Sequence, residues 1–255
     1  MDRNTIKSLL KNLICLEIGA LFKPIIENSY YLDHLNTQEL IEKYKNDPNV
    51  DVSKIVDVNF IYNPDLRFDE YIPLKFDAII SSHNIEHQPN LVKHLIDIES
   101  ILKDNGEVHL WIPDYRYEFD HYKSESGIID VLDNYFSNRK KPTFVKLLEM
   151  HLLQTENDTH IQQSRYKRES RDDYLNIKRN LLNGIGKFSL NELKNMYDSS
   201  EYIDAHVWNF TPHGFEAIIN ILYMYKLTNF KVKYINQFNN SHEFFVTLIK
   251  VQNST

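Results

Sequence analysis

The chain has 255 residues, a formal net charge of −7, 42% hydrophobic and 25% charged residues, and one cysteine. That length suits one large domain or a domain with a cap, and the composition is ordinary for a globular protein. The acidic balance disfavours a nucleic-acid groove, one cysteine excludes an internal disulfide or a thiolate-only metal site, and no apolar stretch reaches the length of a membrane span.

In chain order, the pattern predicts a helix over about residues 3–12 and a strand over 13–18 that stops at Gly19. Gly19 to Pro24 reads as a turn or a very short helix. A second strand follows at Tyr30–Asp33. Thr37-Gln38-Glu39-Leu40 opens a helix, which Asn46-Asp47-Pro48 closes. Lys54–Phe60 reads as a third strand and 75–82 as a fourth. Leu91, Leu95, Ile98 and Leu102 mark one face of a helix over 90–103. Asp104-Asn105-Gly106 turns into a fifth strand, Glu107–Ile112, stopped by Pro113. Strand and helix alternate, which predicts an α/β, doubly wound, mostly parallel sheet. Residues 114–205 break the rhythm and read as an insertion. Thr211 and Pro212 then cap a helix to about Tyr225, and 230–238 with 243–250 form a closing antiparallel hairpin.

Two apolar runs end in polar clusters, Leu16-Glu17-Ile18-Gly19-Ala20 and Phe76-Asp77 through Glu86-His87. Buried parallel strands look like this where they deliver groups to a sheet edge. With Asp33 ending the second strand, Asn59-Phe60 ending the third, and Leu102–Val108 introducing the fifth, this order resembles the class I S-adenosylmethionine-dependent methyltransferases. The resemblance covers about residues 13–112 and 207–250. Leu32–Leu35, Ile112–His121 and His206–Pro212 are similar to a bacterial subfamily linked to capsular and other surface polysaccharides. The family fold is Rossmann-like and seven-stranded, with an antiparallel terminal strand. The implied organisation is a cofactor domain of residues 1–113 and 206–255, with 114–205 as a helical cap that binds the acceptor. Departures are a single glycine in the first motif, too few residues from Gly19 to Tyr30 for a full first helix, and Asn59 where many members carry Asp.

The resemblance implies S-adenosylmethionine as cofactor. Gly19 lets backbone approach it, since glycine has no side chain. Glu17 would orient its amino group, directly or through water, Asp33 its ribose hydroxyls, Asn59 its adenine amine, and Phe60 or Ile61 would cover the ring. Ser82 and His83 end the fourth strand, where the sulfonium lies in the family. His83, His87, His121 and His206 concentrate near site-facing ends. His121, oriented by Asp120 or Asp114, and His87 are the candidate bases. The same Asp/His cluster would also suit Mg or Mn, but it lacks tight ligand spacing, and no metal ligand is assigned. The basic run Arg165–Arg171 suits a cap that holds phosphate.

The expected activity is O-methylation of a small polar acceptor: a sugar, a sugar nucleotide or a phosphorylated precursor, including a phosphoramidate, for capsule or surface glycan. The alternative is a non-catalytic nucleotide-binding or scaffolding protein on a degenerate methyltransferase fold. An NAD enzyme is weaker, because no G-x-G-x-x-G follows the first strand. No signal-peptide core follows Lys7, so a cytoplasmic location is expected.

Overall fold

The computed structural model describes residues 2–154, 188–200, 202–238 and 241–251. Its strands are β1 (Cys15–Ile18), β2 (Tyr30–Asp33), β3 (Phe60–Ile61), β4 (Phe76–Ser82), β5 (Leu102–Pro113), β6 (Phe230–Gln237) and β7 (Glu243–Lys250). They form one seven-stranded sheet in the order β3-β2-β1-β4-β5-β7-β6. The strands from β3 to β5 pair in parallel, and β7 runs antiparallel to both of its neighbours. This is the doubly wound, Rossmann-like sheet expected from the alternation of elements, with β7 wedged between β5 and β6.

The strands sort their side chains by the two-residue period of β structure. Leu16, Ile18, Ile79, Val108, Leu110, Ile112, Phe244, Val246 and Leu248 face one core. Their alternates Cys15, Ala78, Ile80, Trp111 and Phe245 face another. The larger core is covered by helices α3 (Leu91–Ile101), α4 (Ile128–Phe136) and α7 (Pro212–Met224). The smaller is covered by α1 (Arg3–Leu10), through Ile6 and Leu10, and by Ile25 and Ile26.

Local chemistry fixes the helix starts. Asn36 and Glu39 form a reciprocal capping box on α2 (Thr37–Tyr44), one residue earlier than the Thr37 signature suggests. Thr211 Oγ1 accepts the Gly214 N–H, and Pro212 occupies the first turn of α7, as its sequence predicts.

Two strands differ from expectation. The third is only two residues long. Before it, Val56 N–H donates to Leu21 O and Val58 N–H to Thr37 Oγ1, so these residues do not join the ladder. The fifth begins at Leu102, which pairs with Phe76 ahead of a bulge where Asn105 takes a φ of +59°. The expected turn at Asp104–Gly106 lies inside the strand.

The segment 114–205 is not wholly separate from the sheet. Val131 is fully buried in the larger core, with Ile128, Leu132 and Tyr135 packed against it. Helices α5 (Phe144–Leu153) and α6 (Leu190–Ser199) pack on each other, with the Phe144 and Tyr197 rings 5.5 Å apart.

Candidate active site

The C-terminal ends of β1, β2 and β4 open into a cleft of about 270 Å³. It lies where the strand order reverses, between β1 and β4, the usual ligand position in open α/β sheets. Gly19, Asp33, His83 and His87 line it, each just after or at the end of one of those strands.

Gly19 has a φ of +74°, and a Cβ there would stand 2.7 Å from Asn84 Nδ2. A side chain would therefore be strained and crowded. On β2, Asp33 Oδ1 accepts the His34 backbone N–H at 2.7 Å and lies 2.6 Å from His34 Nδ1. Lys43 Nζ stands 2.9 Å from His34 Nε2. With Nδ1–H donated to Asp33, Nε2 is left to accept from the ammonium. Tyr202 stacks on the His34 ring at 4.8 Å and lines the same cleft, with Ile203 and Asp204.

His83 has a φ of +48° and donates its backbone N–H to Trp111 O. Its Nε2 lies 2.9 Å from Glu243 Oε2, and Arg3 pairs with both Glu243 oxygens. Burial alone would push the His83 imidazole down. The Glu243 hydrogen bond and the charges of Glu86, Glu243 and Glu118 outweigh it and raise the pKa.

His87 lies beside a buried polar chain. Its Nδ1 is 3.0 Å from Asp204 Oδ1, and its Nε2 is 3.7 Å from Glu86 Oε1. His206 meets the His87 ring edge to face at 4.6 Å and sets its Nε2 3.9 Å from the same Glu86 oxygen. His206 Nδ1 lies 2.5 Å from Asp120 Oδ2, and Lys123 Nζ lies 2.7 Å from Asp120 Oδ1. Burial pushes the Asp120 carboxyl up, but the His206 hydrogen bond and the His206 and Lys123 charges hold it near 2. Backbone bonds place the two histidines together. Val207 and Trp208 both donate N–H to Glu86 O, and the Trp208 indole donates to Gln88 O.

Several expected site residues are placed elsewhere. Glu17 is buried, and its carboxylate accepts the backbone N–H groups of Ile25 and Ile26 at 2.9–3.0 Å. It organises the loop that stands in for a first helix. Asn59 Oδ1 accepts the Tyr31 N–H, and Asn59 N–H donates to Tyr31 O, so it extends the β2–β3 ladder. Phe60 stacks on Tyr30, and Tyr62 lines the cleft in its place. Ser82 Oγ accepts from Arg3. His121 Nδ1 is 2.9 Å from the Glu118 carbonyl and its ring lies on Tyr122. Asp120 therefore pairs with His206, not with His121. Asp114, the other suggested orienter, pairs with Arg116 and Gln237. The basic run 165–171 lies outside the described residues.

No family model matches the sequence, and no curated protein does. Solved structures with a related arrangement include the CurJ carbon methyltransferase (11% identity, 98% of this chain and 54% of that one, TM-score 0.44). Others are the methyltransferase CalH in complex with SAH (12% identity, 98% and 54%, TM-score 0.43) and the CcbJ methyltransferase of Streptomyces caelestis (8% identity, 98% and 88%, TM-score 0.44). A Rhodobacter sphaeroides protein described as a Zn-dependent alcohol dehydrogenase scores alongside them (12% identity, 98% and 90%, TM-score 0.45). The chain spans about half the length of CurJ and CalH. Likeness at this level assigns no activity, and the fold rests on the strand order itself.

Proposed function

We propose that the protein is an S-adenosylmethionine-dependent methyltransferase acting on a small polar acceptor. One observation carries the reading: Gly19 and Asp33 flank a cleft at the β1/β4 switch point of a sheet ordered 3-2-1-4-5-7-6. In this reading the Gly19 backbone approaches the cofactor and Asp33 receives the ribose hydroxyls. His34 and Tyr62 border the nucleoside. His87 faces the reacting methyl group.

When bound, S-adenosylmethionine would supply its sulfonium methyl group to the acceptor oxygen and leave as S-adenosylhomocysteine. A hydroxyl acceptor passes its proton to the His87 imidazole, whereas an oxyanion has none to lose. Holding the two reactants in line supplies most of the acceleration. Lys140 and Lys141 line the same cleft and favour an acceptor with a phosphoryl or phosphoramidate group, such as a sugar nucleotide. Surface-glycan precursors are one source of such groups. The acceptor-binding part of 114–205 is then residues 140–142 and 202–204, while α4 belongs to the core.

Calorimetry with S-adenosylhomocysteine and with NAD tests this. Heat with S-adenosylhomocysteine alone is expected. Binding of NAD alone would replace the reading with a dehydrogenase. Binding of neither would leave a non-catalytic protein on this fold.

A further inference from the structure

Glu86 is fully buried, and neither of its carboxylate oxygens has a hydrogen-bond partner among the described residues. A buried carboxylate without donors is costly, and native proteins satisfy such groups. Burial of an ion requires a partner of opposite charge, and no Lys or Arg of the described residues reaches Glu86. What does reach it is a pair of imidazoles. The Nε2 atoms of His87 and His206 stand 3.7 and 3.9 Å from one Glu86 oxygen, too far to hydrogen-bond.

A carboxylate stands on the far side of each ring. Asp204 lies 3.0 Å from His87 Nδ1, and Asp120 lies 2.5 Å from His206 Nδ1. A carboxylate at Nδ1 takes that proton and leaves the Nε2 lone pair bare. At His206 this is the carboxylate–histidine arrangement that orients metal-bound imidazoles, and at His87 the Asp204 carboxylate stands at ion-pair distance without hydrogen-bond alignment. One ligand atom from each of Glu86, His87 and His206 lies within 4.8 Å of the others. Bonds of about 2.0–2.2 Å in a tetrahedral site separate ligand atoms by about 3.3–3.6 Å. The two separations from Glu86, 3.7 and 3.9 Å, need to close by a few tenths of an ångström, and all three ligand atoms already lie within 4.8 Å of one another.

We propose that Glu86, His87 and His206 bind a divalent transition metal of the zinc class. Two nitrogens and one carboxylate suit Zn²⁺, Co²⁺ or Fe²⁺, and exclude Mg²⁺ and Ca²⁺, which take oxygen ligands. Asp120 and Asp204 are positioning residues. Three protein ligands leave coordination open, and His87 lines the cleft, so the open side faces the ligand space. A second group, His83, His242 and Glu243, has comparable spacing. Glu243 there is already paired by Arg3 and His83, which leaves no unsatisfied charge for a metal.

Metal binding does not depend on the methyl-transfer reading. Its catalytic consequence does: with metal bound His87 would be a ligand rather than a base, and the metal would acidify a coordinated acceptor hydroxyl, whose proton would pass to solvent water.

The test is direct titration of chelator-treated full-length protein with Zn²⁺ and with Co²⁺, followed by calorimetry and by visible d–d absorption. We expect one ion per chain, intense tetrahedral-type Co²⁺ bands, a higher melting temperature with metal, and no competition from Mg²⁺. Glu86→Gln should weaken binding by a hundredfold or more. Asp120→Asn should weaken it by about ten- to a hundredfold through His206. His242→Gln should leave it unchanged. The wild-type titration needs no variant, so misfolding of Glu86→Gln, monitored by circular dichroism, does not blunt the test. No saturable binding at micromolar Zn²⁺ would overturn the proposal, and so would equal affinity in a folded Glu86→Gln. S-adenosylhomocysteine binding measured on the same samples separates failure of the metal site from failure of the methyltransferase reading.

Discussion

Asp33 and His34 are sequence neighbours that bond twice, and both bonds fall on Asp33 Oδ1. The carboxylate is thereby fixed in orientation while its other oxygen is spared. Asp33→Ala should weaken S-adenosylhomocysteine binding about fivefold to fiftyfold, the loss of one or two hydrogen bonds worth about 1 kcal/mol each. His34→Ala should weaken it less, by freeing the carboxylate to rotate. Calorimetry on both variants checks this ranking, and the reverse order would remove Asp33 from the site.

Gly19→Ala should cost stability and binding together. Its φ of +74° is a left-handed conformation, which costs a side-chain-bearing residue about 1–2 kcal/mol. The added methyl also meets the Asn84 amide in the cleft. Urea unfolding and ligand calorimetry are the two readouts. Unchanged ligand affinity would mean that no ligand approaches the chain at this turn.

His94 predicts an acid limb in stability. Burial, with the Lys93 charge a smaller cause, pushes its imidazole down from 6.5 to about 3. Neither ring nitrogen has a hydrogen-bond partner among the described residues. The unfolded chain binds a proton near pH 6.5 that the folded chain refuses, so stability present above pH 6.5 is lost as pH falls towards 3. His94→Leu should therefore gain on the wild type as pH drops from 8 to 5. A constant difference between the two across that range, in urea unfolding, would refute the assignment.

Glu17 carries the opposite sign. Burial pushes its carboxyl from 4.5 up to about 7, against the hydrogen bonds of Ile26 and Ile25 and the Arg3 charge. Between those values the folded chain holds the extra proton, so stability falls as pH rises. Glu118, pushed up to about 7 by burial, acts in the same direction. Glu17→Gln removes one titration, and the stability advantage of the wild type over it should shrink by about 1–3 kcal/mol from pH 5 to pH 7.5. Guanidinium unfolding at both pH values measures the change.

Much of the sheet was legible because its strands are apolar runs that stop at polar turns. Leu16–Gly19 and Phe76–Ser82 announce both their burial and their ends. The third strand is shorter than its pattern: Val56, Val58 and Phe60 alternate like a strand, while the Val56 and Val58 N–H groups bond to Leu21 and Thr37 and of the three only Phe60 pairs with β2. In the cleft, Gly19, Asp33, His83 and His87 could be placed from strand ends alone. Glu17 and Asn59 could not, because a sequence does not show that a polar side chain is already taken by a nearby backbone N–H. The sequence sets Asp120 beside His121, whereas its partner in the fold, His206, lies 86 residues away. Consecutive residues on an irregular segment point different ways, and only tertiary structure says which faces inward. Glu86 is not legible at all, since nothing local in the sequence marks a carboxylate as buried and unpaired.

The strand β7 is the only link among the described residues between β6 and the rest of the sheet, pairing with β5 along Glu107–Pro113 and with β6 along Phe230–Gln237. In assembly terms it is a wedge that arrives after both of its neighbours. Until it docks, β5 presents an open edge carrying Leu110, Trp111 and Ile112, the kind of edge that recruits other chains. The β5–β7 register also joins residues more than a hundred positions apart, a slow closure by contact order. The sheet therefore cannot be completed in pieces. A chain ending before Glu243 should scatter light as aggregate on refolding, rather than yield a smaller five-stranded domain.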